Sequence, residues 1–260
     1  MFKENKSITT LNLGNNSIGP EGARALSKSL KVNSTITSIY LGNNSIGNEG
    51  ITALAEVLTE NSKVTEIYLQ DNSIGSEGAI SLATSLRTNS SITVLNLQSN
   101  SIGSTGLIAL AEMLKVNSSI TNINLAQNSI GPEAASVLAQ ALVFNSTIST
   151  LNLQCNSIGV AGTKAIAEAL KVNTFITLID LSGNSVGLEG AVVVAEVLKV
   201  NTTLIEVHLR NNSIYTEGAL IIAESVRFNS TVSIINLLEN VIESKTRLFL
   251  ANISKGRILC

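Results

Sequence analysis

The chain has 260 residues, a formal net charge of −2, 44% hydrophobic residues and only 3% aromatics. A balance this close to neutral has no basic excess to neutralise phosphates, which argues against nucleic acid as a partner. Two cysteines make no disulfide framework, no apolar run reaches the length of a membrane span, and the opening MFKENKS has no apolar leader core, so the expected setting is the cytoplasm with no membrane partner.

Along the chain one nonapeptide recurs with a fixed spacing of 28 residues. LNLGNNSIG begins at Leu11 and returns in recognisable form at Ile39, Ile67, Leu95, Ile123, Leu151, Ile179, Val207 and Ile235, nine copies without insertion or deletion. Fixed-period similarity in this range is the signature of a solenoid, in which each copy buries its apolar face against the next. The register runs from Phe2 to about Ala251, so one quasi-linear domain over residues 1–260 is expected, with an aliphatic core.

One copy, Ile8 to Thr35, reads as a strand followed by a helix. Leu11 and Leu13 alternate around Asn12 as a half-buried strand does. A turn-rich stretch from Gly14 to Pro20 follows. Ala23, Leu26, Ser27 and Leu30 then recur at helical spacing, with Glu21 in the first helical turn and Lys28 and Lys31 near the last. Strands reached through crossover helices are parallel, and the crossover is right-handed. Strands sit about 4.8 Å apart while packed helices need about 8–10 Å. The stack is therefore expected to bend into an α/β horseshoe with its parallel sheet concave and its helices convex.

At the far end the pattern decays. Tyr215 and Glu243 replace the turn glycine, Thr246 the helix glycine, and Arg247 an alanine. Residues 243–260 read as a degenerate capping repeat, with Lys245, Arg247 and Lys255 turning the last helix toward water. At the near end Phe2–Ile8 aligns with Leu30–Ile36, so the chain starts inside a repeat.

The pattern L-x-L-x-x-N-x-I-G-x-E-G-A-x-x-L-A-x-x-L resembles the ribonuclease-inhibitor-like class of leucine-rich repeats, also found in the receptor ends of NOD-like immune proteins and in the GTPase-activating protein of Ran. The resemblance implies that Asn16, Asn44, Asn72, Asn100, Asn128, Asn156, Asn184, Asn212 and Asn240 form a buried ladder serving backbone groups of adjacent turns. It says little about function, because the class hosts many unrelated binding roles.

Columns at Leu13, Asn16, Ile18 and Leu30 scarcely vary between copies, whereas four strand columns do. On that face Tyr40 and Tyr68 fall on neighbouring strands, with Glu66, Gln70 and Asp71 beside them. They read either as an amphipathic anchor for a partner or as a cross-strand pair that stabilises the sheet. Farther along, Asp180 is expected beside His208, with Glu206 and Arg210 close by. That set reads as a partner-orienting ion-pair cluster or a solvated pair, since a metal would need a third good ligand. Cys155 lies two strands from His208, too far for a nucleophile and its base, and no phosphate-cradling loop is present. On the helices, Glu112–Lys115, Glu168–Lys171, Glu196–Lys199 and Glu224–Arg227 are spaced as i,i+3 pairs. N-glycosylation triplets beginning at Asn15, Asn33, Asn43, Asn89, Asn117, Asn145, Asn201, Asn211 and Asn229 would load both faces with glycans in a secretory pathway, which adds to the cytoplasmic expectation.

The expectation is a non-enzymatic protein–protein interaction scaffold, monomeric and without cofactor or metal, that binds a macromolecule in its concavity. Alternatives are a ligand-sensing fragment of a NOD-like receptor, a GTPase regulator lacking the acidic tail of the Ran protein, and a bacterial effector. Direct ribonuclease inhibition fits less well, for want of cysteines and acidic residues.

Overall fold

The structure, a computed structural model, describes residues 5–260. The beginning of the register at Phe2 lies outside those residues. The chain forms two compact units, one ending at Asn128 and the other spanning Ser129–Cys260. The first unit alternates β1 (Thr10–Asn12), α1 (Gly19–Leu30), β2 (Ser38–Tyr40), α2 (Gly47–Leu58), β3 (Glu66–Tyr68), α3 (Ser76–Leu86), β4 (Val94–Asn96), α4 (Gly103–Leu114) and β5 (Asn122–Asn124). The second continues with α5 (Pro132–Phe144), β6 (Thr150–Asn152), α6 (Gly159–Val172), β7 (Leu178–Asp180), α7 (Gly187–Val200), β8 (Glu206–His208), α8 (Thr216–Phe228), β9 (Ile234–Asn236), α9 (Ser244–Ile253) and β10 (Ile258–Leu259).

Within each unit neighbouring strands pair in parallel, and from β1 to β9 the partners are 28 residues apart, as in Thr10↔Ser38 and Asp180↔His208. The sequence period is thus the sheet register itself. A strand of three residues presents one side chain to the helices and two to the opposite face. Ile39, Ile67, Leu95 and Ile123 are the inward residues of the first unit, and Leu151, Ile179, Val207 and Ile235 those of the second, all buried. Their neighbours along each strand are half-exposed on the open face of the sheet. Helices pack behind the strands, and close approach there demands small residues. A Cβ added to Gly50 would stand 2.5 Å from Ile46 Cγ2 and 3.0 Å from Ala23 Cβ.

The asparagine ladder forms in both units. Asn72 is fully buried; its Nδ2 donates to the carbonyls of Leu41 (2.9 Å), Leu69 (3.1 Å) and Gln70 (3.1 Å). Its Oδ1 accepts from the amides of Asn44 (3.1 Å) and Ile46 (3.2 Å). Asn184 repeats the pattern on Leu153, Leu181 and Ser182. One such side chain therefore serves five backbone groups that neither strand nor helix reaches. Asn16 departs from the expected ladder, being exposed rather than buried. Its amide finds only Leu13 and Gly14 of its own turn, because no earlier turn among the described residues offers a carbonyl.

A second ladder runs through Asn33, Asn61, Asn89, Asn117, Asn145, Asn173, Asn201 and Asn229, at the loop between each helix and the next strand. Asn89 Nδ2 donates to Leu58 O (2.7 Å) and Asn61 O (3.1 Å), and its Oδ1 accepts from the amides of Ser91 (3.0 Å) and Ile92 (2.9 Å). This column corrects the glycosylation argument. Six of the nine triplets singled out begin at a buried asparagine whose side chain is already engaged, and only Asn15, Asn43 and Asn211 sit exposed in turns. The triplets therefore say little about the compartment. Among the described residues no helix is long and apolar enough to cross a membrane.

The last repeat ends differently from the others. The period would put the strand after β9 beyond Cys260, yet β10 pairs with β9 through Ile258↔Ile235. Arg257 stands 28 residues after Asn229 and takes over its task. Its guanidinium donates to Asn229 O (2.6 Å), Val226 O (2.8 Å) and Ser254 O (3.0 Å). Those first two carbonyls lie 28 and 31 residues back, the offsets at which Asn229 reaches Asn201 and Leu198. A longer side chain closes the ladder where the last turn is shortened. Lys245, Arg247 and Lys255 are exposed as expected, but so are Leu248 and Phe249.

On the helices, the pairs Glu112–Lys115, Glu168–Lys171 and Glu224–Arg227 form. Glu196 does not reach Lys199; it extends 3.1 Å to Lys171 of the preceding helix. Lys171 thereby bridges two carboxylates, and their hydrogen bonds, that of Glu168 foremost, raise its pKa above the ordinary lysine value.

Candidate functional site

The open sheet face of the first unit is built from four columns that the repeat leaves free. Tyr40 and Tyr68 are register partners on β2 and β3, and their rings stack with centroids 4.4 Å apart and planes 6° off parallel. Their neighbours across the sheet are Asn12 on β1 and Asn96 on β4, short side chains that leave the pair standing between polar ones. Offset stacking of this kind adds about 0.5–1.5 kcal/mol beyond area burial. The stack has the geometry that the sheet-stabilising reading of the pair requires.

Glu66 shares β3 and its outward face with Tyr68, and accepts a hydrogen bond from Ser38 Oγ at 3.2 Å. Burial, followed by the Glu66 carboxylate and Tyr40, raises the Tyr68 pKa above the ordinary phenol value. That hydroxyl stays a neutral donor. Gln70 lies next along the chain over Gly42, where an added Cβ would fall 2.4 Å from Gln70 Nε2. Gln70 Oε1 is the one buried side-chain nitrogen or oxygen among the described residues that lacks a hydrogen-bond partner. An acceptor left so costs about 1–3 kcal/mol, which the fold recovers elsewhere. Asp71 is exposed in the turn after the strand, with φ 56°. Asparagine fills the same left-handed position at Asn15 and Asn43. Glu66 and Asp71 are the only charged side chains in these columns of the first unit, and Lys63 lies on the loop ahead of β3, outside them.

In the second unit the expected cluster resolves into separate pairs. Asp180 and His208 are register partners. His208 Nε2, however, lies 3.0 Å from Glu206 Oε2 on its own strand, and Asp180 Oδ1 accepts from the Ser182 amide at 2.8 Å. A carboxylate one residue from a turn is captured by the turn's own amide, so Asp180 is spent locally. Arg210 pairs with Glu239 of the next turn, a residue in the same variable column as Asp71 that sequence reasoning passed over. That hydrogen bond holds the Glu239 carboxyl below its ordinary range and raises Arg210. Cys155 is exposed in a left-handed turn at φ 51°. Among the described residues no group of three or more His, Cys, Asp or Glu side chains is placed to hold a metal.

Parallel strands backed by helices, repeated in register and leaving an open polar sheet face, define a solenoid repeat protein. The chain belongs to the leucine-rich repeat family: the family model described as Leucine Rich repeat matches residues 4–27, 32–55, 60–83, 88–111, 116–139, 144–167 and 172–195, more than half of the sequence. No curated protein matches the chain. Among solved structures it is similar to the leucine-rich repeat-containing protein LegL7 from Legionella pneumophila, at 17% identity over 97% of this chain and 91% of that one, with a TM-score of 0.58. Actin-binding site 2 of leiomodin-1 matches 60% of this chain and 75% of its own at 22% identity, with a TM-score of 0.39. At these identities the likeness to LegL7 concerns the fold alone.

Proposed function

We propose that the chain is a non-enzymatic scaffold of the ribonuclease-inhibitor-like leucine-rich repeat subclass that captures a protein partner on the open sheet face of its first unit. Family membership supports protein binding as the general role, since leucine-rich repeat proteins commonly serve it. The 28-residue strand–helix repeat supports the subclass. The observation that carries the placement is the stacked Tyr40–Tyr68 pair on a mostly polar face. Tyrosines bring large contact area and a polar tip at low conformational cost, and they are enriched among interface anchors. Glu66, Gln70 and Asp71 supply the polar rim. Asp180, Glu206, His208 and Arg210 form a second polar surface on the other unit, where Arg210 is already paired with Glu239 and Glu206 lies against His208.

Affinity capture with cross-linking mass spectrometry tests the placement. Cross-links from the partner are expected at β2, β3 and the turns after them, and the Tyr40→Ala/Tyr68→Ala double variant should lose capture while thermal unfolding shifts by only a few degrees. Capture unchanged in that variant would exclude the face.

A further inference from the structure

Resting on that reading of the sheet face, we infer that the partner presents a lysine- or arginine-bearing protein segment, whose cations dock against the outer faces of the Tyr40–Tyr68 pair between Glu66 and Asp71. Three independent features of the first unit agree on this chemistry.

The first is charge. The only charged side chains in the four outward columns of the first unit are the carboxylates Glu66 and Asp71, which flank Tyr68 on both sides along the chain. Neither is drawn into an ion pair: Glu66 accepts a hydroxyl hydrogen bond from Ser38, and Asp71 is exposed in its turn. On the corresponding face of the second unit a fixed cation is already present, Arg210 on Glu239, while Glu206 lies against His208 and Asp180 accepts from the Ser182 amide. A sheet face with two carboxylates that have no cation beside them attracts one and repels an acidic segment.

The second is the aromatic pair. The two rings cover each other's inner faces, so each keeps one outer face, beside Asn12 for Tyr40 and beside Asn96 for Tyr68. A guanidinium or ammonium over a tyrosine face gains from the ring quadrupole, and the planar guanidinium stacks there as well.

The third is hydrogen-bond balance. Gln70 Oε1 is a buried acceptor without a donor, on the same face and between Tyr68 and Asp71 in sequence. The two carboxylates ask for donors, Gln70 Oε1 would take one if its amide turned outward from beneath the surface, and lysine and arginine side chains bring only donors.

The test uses the full chain in a Tyr215→Phe background. With no tryptophan and three tyrosines in the sequence, the remaining emission then comes from Tyr40 and Tyr68 alone. Short synthetic peptides alternating serine with lysine, arginine or glutamate are titrated in. Both basic peptides should perturb the emission saturably, the glutamate peptide should not, and affinity should fall about ten-fold or more between low and high salt. The Glu66→Gln/Asp71→Asn variant keeps every hydrogen-bonding shape and places asparagine at a left-handed position where Asn15 and Asn43 already sit. It should weaken basic-peptide binding several-fold without altering unfolding. Failure of both basic peptides to bind, equal binding of the glutamate peptide, or unchanged affinity in the carboxamide variant would each overturn the inference. Cross-links that place a neutral or acidic partner segment on the face would overturn it while sparing the binding-face reading; an absence of cross-links there would remove both.

Discussion

The two units share one backbone plan and use its free positions differently. In the first, the tyrosines lie on the sheet face, paired with each other, and the two carboxylates beside them have no cation. In the second, Arg210 pairs with Glu239, Glu206 lies against His208 and Asp180 accepts from its own turn, while Phe144 and Phe228 stand at helix ends, 73% and 77% exposed. Identical scaffolding with opposite allocation teaches where to look for function. A face whose charges are satisfied internally has little left to offer, whereas one with open acceptors and an aromatic anchor has its partners still to find.

The sharpest way to break the comparison is to strike the scaffold that both units share. Asn72→Ala strips five backbone groups of a buried partner and Asn184→Ala at least four. Unpaired buried groups cost about 1–3 kcal/mol apiece, and water entering the gap offsets part of that, so each variant should lose about 3–5 kcal/mol by chemical denaturation. Similar losses mean that the units are built alike; a loss under about 1 kcal/mol at either position would show that its ladder is not the staple described. Arg257→Ala comes next. It removes four charge-assisted hydrogen bonds, the one to Val232 O long, from a half-buried side chain, for an expected loss of about 2–3 kcal/mol. Faster amide exchange at the end of α8 and at β10 would locate it, and unaltered exchange there would contradict it.

Smaller effects sharpen the contrast between the faces. Tyr40→Ala should cost about 1 kcal/mol, the worth of a stacked cross-strand pair, while Phe144→Ser at its exposed helix end should change stability by less than about 0.5 kcal/mol. Acid is the mildest probe. Glu189 and Glu239 are held below the ordinary glutamate value of about 4.5, chiefly by hydrogen bonds from Lys164 and Arg210. Their folded pKa values lie below the unfolded ones, so the contribution is present above pH 4.5 and fades as pH falls through the folded values. Both carboxylates are largely open to solvent, so denaturation midpoints between pH 6 and pH 3 should lose only a small part to these pairs, and the Lys164→Met/Arg210→Met variant should flatten that part.

Much of this architecture was legible in the sequence because the period is the register. A 28-residue repeat without insertions can only align Leu11 with Ile39 and Asp180 with His208 across neighbouring strands. The Asn72 column was legible through resemblance. The Asn89 column had an equally strict period, but the same residues also spell glycosylation triplets, and that reading hid the ladder. The turn-glycine column masked a second difference. Gly47 has φ +63° whereas Gly75 has φ −91°, and Tyr215 fits its turn because that turn takes the extended form, at φ −82°. β10 escaped because it arrives early, out of phase. The pairing in the second unit escaped for a reason of geometry: strand register brings Asp180 and His208 side by side, but the nearest donor or acceptor on each side chain's own strand or turn costs less chain entropy to reach.

Tyr215, 54% exposed on the second unit, supplies an internal control for the central claim that the partner seats on the Tyr40–Tyr68 face. Nitration of the chain with and without its captured partner, read by mass spectrometry residue by residue, puts the claim to the most direct test. Protection of Tyr40 and Tyr68 with Tyr215 reacting at its free rate is the expected result. Protection of Tyr215 with the stacked pair as reactive as before would contradict it.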